Sequence, residues 1–69
     1  MSKALSERLV LQVKMQLDER PMSLRELAAS INVEENKVYR VLSLLYRSSQ
    51  IVHFRDVDSV RRYRLYEES

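Results

Sequence analysis

A chain of 69 residues buries only ~60% of the surface its unfolded form exposes, which limits it to one small core, so we expect a single domain over residues 1–69. Hydrophobic residues make up 45% and charged residues 32% of the chain, with a formal net charge of +2; that balance excludes wholesale disorder, and no apolar run reaches the ~20 residues of a membrane span. With no cysteine, no glycine and a single histidine, His53, disulfides, thiolate or multi-imidazole metal sites and glycine-rich phosphate loops are excluded, so neither enzyme chemistry nor a cofactor is expected and a binding module is left.

The start of the chain, Met1 to Arg8, is charged and has no signal-peptide apolar segment, which predicts a cytoplasmic protein. From Ala4 to Asp18 the residues Val10, Val13 and Leu17 recur at helical spacing, with Leu9 beside them; this predicts a first helix over 4–18. Pro21 ends it, because the residue before proline is pushed out of the helical region and the ring cannot continue the helix. Ser23-Leu24-Arg25-Glu26 has the spacing of a capping box, and Leu24, Leu27, Ala28 and Ile31 then share one face. A second helix over 24–31 follows, ended by Asn32, which tolerates the left-handed backbone of a helix end. A third helix over 35–48 puts Val38, Val41, Leu42 and Leu45 on one stripe. Across from that stripe, at ~100° per residue, Asn36, Arg40, Ser43 and Arg47 form a basic, hydrogen-bonding face flanked by Lys37 and Tyr39. Residues 51–55 and 61–66 are rich in β-branched and aromatic types, and Asp56-Val57-Asp58-Ser59-Val60 between them is turn-like. A β-hairpin over 51–66 results, with Tyr63 and Leu65 on the core side and Arg62 and Arg64 outward.

Charge is unevenly spread. Residues 1–34 are neutral, whereas residues 35–66 carry seven basic side chains against Glu35, Asp56 and Asp58, and the tail adds Glu67 and Glu68. Such asymmetry is of the kind that attracts a polyanion, although a charge of this size is equally common on ordinary protein surfaces.

Three helices followed by a hairpin, with Leu27-Ala28 in the second helix, Asn32-Val33 at the turn, Val38-Tyr39-Arg40-Val41-Leu42 in the third and an arginine-rich hairpin from Phe54 to Leu65, resemble the winged helix-turn-helix domain of small bacterial and archaeal transcription regulators. The resemblance covers nearly the whole chain. It implies a mainly α (α+β) fold, three helices with a C-terminal two-stranded wing. It also implies a sequence-specific double-stranded DNA-binding protein whose third helix enters the major groove while the wing meets the backbone. Carried onto this chain, it gives Asn36, Tyr39, Arg40 and Ser43 base-edge or sugar contacts, Lys37 and Arg47 phosphate contacts, and Arg55, Arg61 and Arg62 a phosphate clamp. Two features depart from the pattern: Glu34 and Glu35 occupy the start of the third helix and repel phosphate there, and Asp56 and Asp58 make the wing tip acidic.

Several side chains also have plainer readings. Phe54, Tyr63 and Tyr66 are expected to pack within the hairpin, Tyr46 to pack at the rim of the core, and His53 to be a strand residue with a satisfied hydrogen bond. Ala4, Leu11 and Met15 form a second apolar face on the first helix, away from Val10 and Val13, which either adds cover to the small core against the hairpin or, the reading preferred here, forms a homodimer seam. A dimer would present two recognition helices to half-sites ~34 Å apart. No membrane contact and no small-molecule effector are expected, and in a bacterial or archaeal cell the protein would lie on the nucleoid. The competing function is a winged helix that binds protein and has lost DNA contacts, a reading favoured by the acidic start of the third helix.

Overall fold

The computed structural model describes residues 7–67. Helix α1 spans Glu7–Glu19, α2 Leu24–Ile31 and α3 Glu35–Arg47, followed by strands β1 Ile51–Arg55 and β2 Arg61–Leu65. This is the order of a winged helix-turn-helix. Val13 and Leu17 of α1, Leu27 and Ala28 of α2, Val38, Val41, Leu42 and Leu45 of α3, Ile51 of β1 and Tyr63 of β2 close a single core, with Met22 from the connection between α1 and α2. The helical stripes expected from the residue spacing are the faces that are buried, since a stripe that must leave water fixes the rotation of its helix about its own axis.

Local chemistry sets each boundary. At the start of α2, Ser23 Oγ accepts from the Glu26 amide at 3.1 Å while the Ser23 amide donates to Glu26 Oε1 at 2.9 Å, a complete capping box. Asn32 ends α2 with φ 58° and ψ 50°, and the Val33 amide donates back to the Ala28 carbonyl at 3.0 Å. At the end of α3 the Ser49 amide donates to the Tyr46 carbonyl and the Gln50 amide to the Leu45 carbonyl, at 3.0 and 2.9 Å, with Ser49 at φ 61°. That is a Schellman ending built on serine where glycine is usual. The wing turn has the same feature: the Ser59 amide donates to the Asp56 carbonyl at 2.8 Å with Ser59 at φ 66°.

The strands pair antiparallel, Ile51 with Leu65, His53 with Tyr63 and Arg55 with Arg61. Tyr63 is buried, Leu65 half-buried and Arg64 exposed, as the alternation predicts. One further pairing has no counterpart in that alternation. Met22 forms a bridge to Tyr63, its amide donating to the Tyr63 carbonyl at 3.1 Å and its carbonyl accepting from the Tyr63 amide at 2.8 Å. The hairpin is thereby stitched to the residue just before the α2 cap.

Candidate nucleic-acid interface

Helix α3 is held in rotation by its four buried residues, which leaves Asn36, Lys37, Tyr39, Arg40 and Arg47 exposed and Ser43 half-buried. The Lys37 and Val38 amides donate to the Glu34 carbonyl, both at 3.1 Å, while the Glu34 side chain makes no capping bond. The carboxylates of Glu34 and Glu35 thus stand at the helix start without closing its amides. Arg47 lies in the last turn, where a cation complements the negative end of the helix dipole.

The wing contributes from the other side of a groove. Because pleated residues alternate faces, Arg61 lies on the same face as Tyr63 and Leu65; together with Tyr39, Leu42, Ser43, Tyr46, His53 and Tyr63 it lines a cleft of about 190 Å³ between α3 and the hairpin. The structure therefore brings Tyr39, Ser43 and Arg61 together. Arg55 is exposed and its Nη1 donates to the Ser59 carbonyl at 2.8 Å, so this arginine braces the wing turn.

Among the described residues, Lys37, Arg40, Arg47 and Arg61 have no carboxylate within salt-bridge distance. Arg62 is different. Its Nη1 lies 3.0 Å from Asp56 Oδ2 and 3.1 Å from Asp58 Oδ1, and its Nε 3.5 Å from Glu26 Oε1, with a side chain only 19% exposed. The bond from Arg62 holds the Asp58 carboxyl below its ordinary 3.8. Glu26 is held below its ordinary 4.5, first by the Ser23 amide and then, against a smaller opposing effect of burial, by the charges of Arg62 and Arg20. The expected phosphate contact of Arg62 thus meets a guanidinium already engaged by three carboxylates, and a phosphate would have to displace them.

The aromatic residues pack to different depths. Tyr46 and Tyr66 are both about half exposed. Tyr46 lies against His53 with ring centroids 5.0 Å apart, and His53 meets the Tyr63 ring edge-on at 6.1 Å; among the described residues the His53 side chain has ring contacts and no hydrogen-bond partner. Nothing in the spacing of Tyr46 and His53 announces this contact, since it depends on where α3 lies across β1. The burial of Met22 did carry a signal: Met22 precedes the Ser23 cap and Leu27 lies four residues after that cap, the positions of a hydrophobic staple, and both are buried. On α1, Leu11 and Met15 are 57% and 59% exposed, whereas Ala4, the third residue of the expected seam, lies outside the described residues. No helix among the described residues is long and apolar enough to cross a membrane.

No protein-family model and no curated protein sequence matches the chain. Solved structures do. A point variant of ZitR from Lactococcus lactis superposes with a TM-score of 0.83 at 19% identity, over 97% of this chain and 50% of that one. The adhesin competence repressor AdcR from Streptococcus pyogenes superposes with a TM-score of 0.79 at 18% identity, over 93% of this chain and 48% of its own. The chain has the winged helix-turn-helix fold. It spans about half the length of each of these two proteins.

Proposed function

We propose that this winged helix-turn-helix chain binds double-stranded DNA in a sequence-specific manner and acts as a small transcriptional regulator. The observation that carries the reading is the set of unpaired cations on α3 and the facing wing: Lys37, Arg40, Arg47 and Arg61 are exposed and, among the described residues, free of carboxylate partners. A solvated helix face that served only solubility would gain from mixed signs of charge. Likeness in fold to a protein named as a repressor supports the same class of function.

In this reading α3 lies in the major groove. Arg40 pairs bidentately with guanine, Asn36 with adenine, and Tyr39 and Ser43 contact base edges or sugar. Lys37, Arg47, Arg55 and Arg61 contact phosphate, which supplies affinity without sequence information. The acidic start of α3 favours an approach by the middle of the helix rather than by its N-terminus, because Glu34 and Glu35 repel phosphate there.

Fluorescence anisotropy with random-sequence duplex over a salt series tests this. Four phosphate contacts per chain give a slope of log affinity against log salt of about −3.6. Arg40→Ala should cost ~1–3 kcal/mol on a selected site, and Lys37→Ala should weaken all sequences alike and lower the slope by ~0.9. Absence of binding even at low salt would overturn the proposal in favour of a winged helix that binds protein, the reading that Glu34 and Glu35 favour.

Homodimerisation is part of the proposal, through Leu11 and Met15, which lie one turn apart on α1 and are largely exposed. Sedimentation equilibrium should give a dimer for the wild type and a monomer for Leu11→Glu/Met15→Glu with unchanged helix content; a monomeric wild type would remove the dimer from the scheme.

A further inference from the structure

The core ends at Tyr63 along β2, and the hairpin beyond it has no buried residue: Phe54, Asp56 and Arg62 are half-buried, the rest exposed, with Val57 fully in water. A two-stranded ribbon with so few of its residues buried twists and bends easily. Yet this part of the wing carries Arg55 and Arg61. Among the described residues, one side chain bonds it back to the body of the domain. The Arg62 guanidinium bonds Asp56 Oδ2 and both oxygens of Asp58 at 3.0 to 3.3 Å and reaches Glu26 Oε1 with its Nε at 3.5 Å. Glu26 is a rigid anchor, since the same oxygen accepts the Ser23 amide at 2.9 Å in the capping box of α2.

We propose that Arg62 is a positioning residue for the nucleic-acid interface: it clamps the wing turn to the first turn of α2 and so sets where Arg55 and Arg61 stand relative to α3. Arginine suits this role because its planar fork holds several acceptors at fixed angles, which the single point charge of lysine cannot do. Partly exposed ion pairs contribute little to global stability, so the clamp acts on the order of the wing rather than on folding. It also gives Asp56 and Asp58 a purpose despite their unfavourable sign near DNA: they hold the arginine that orients its neighbours. The clamp itself concerns the free protein; its consequence for affinity rests on the DNA-binding reading.

Two measurements on the intact chain separate these. In the free protein, ¹⁵N relaxation should show backbone order at residues 56–60 falling below about 0.6 in Asp58→Asn and in Glu26→Gln, with Arg62→Lys intermediate. Glu26→Gln keeps the capping geometry while losing the charge, so α2 stays formed. In duplex binding, Asp58→Asn and Glu26→Gln should weaken affinity by roughly three- to tenfold. That direction is diagnostic, because removing an acid that did no more than repel phosphate would tighten binding. Unchanged wing order in both variants would overturn the clamp whatever the DNA result. Lost order with unchanged or tighter binding would overturn the positioning role. A wild type that binds no DNA, with wing order still lost in the variants, would overturn the DNA reading and leave the clamp standing.

Discussion

Among the described residues, three without glycine's freedom hold left-handed backbone: Asn32, Ser49 and Ser59, at φ 58°, 61° and 66°. Asparagine tolerates that region, whereas serine does so at a cost of about 1–2 kcal/mol. A chain with no glycine therefore stores strain at the end of α3 and in the wing turn. Ser49→Gly should stabilise the domain by about 1 kcal/mol, raising Tm by roughly 4–8 °C in a domain of this size. Thermal unfolding followed by circular dichroism checks it, and an unchanged Tm would mean that the Ser48 Oγ bond to the Leu44 carbonyl at 2.8 Å and its neighbours already relieve the helix end. Asn32→Gly serves as the comparison and should shift Tm much less.

Among the elements, α2 depends most on its cap. Eight residues are too few to be helical alone in water, so the capping box and the burial of Leu27 and Ala28 carry it. Ser23→Ala removes one half of the box and leaves the Glu26 amide without its acceptor; a loss of ~1 kcal/mol is expected, read as a lower urea midpoint at unchanged slope. The spacing from Ser23 to Glu26 makes this cap legible in the sequence, as the periodicity of Val38, Val41, Leu42 and Leu45 makes the outer face of α3 legible. The pairing of Met22 with Tyr63 has no such signature, because a one-residue strand has no alternation to betray it. The ring contact of His53 with Tyr46 is equally hidden, since it joins a helix and a strand whose mutual placement no local pattern encodes.

At the scale of the whole molecule, the cluster of Glu26, Asp56, Asp58 and Arg62 joins the start of α2 to the wing, and it makes part of the structure sensitive to acid. Asp58 and Glu26 both have carboxyls held below their ordinary values. Groups of that sign stabilise the folded state above the unfolded value and lose the contribution as pH falls through the lowered folded one. The difference in wing order between wild type and Arg62→Ala should accordingly be constant above about pH 5 and shrink as pH falls below about 4. A gap that persisted once both carboxyls are protonated would mean that Arg62 acts through packing of its aliphatic stem rather than through the carboxylates.

From the sequence alone came the number and order of elements, the buried stripe of each helix, the ends of α2 and the cationic outer face of α3. All of these follow from interactions within a turn or two of the chain, where a helical or strand period and a capping residue act directly. The tertiary structure decided which cations are free and which are bound. Arg61 and Arg62 are adjacent in sequence and indistinguishable by composition, yet the pleat sends Arg61 toward the groove beside Tyr39 and Ser43 and turns Arg62 to Glu26, a residue remote in sequence. The Met22 bridge holds the hairpin against the start of α2, which brings the outward-facing Arg62 within reach of Glu26. Only when the core has set that register does the position of one guanidinium relative to three carboxylates exist at all.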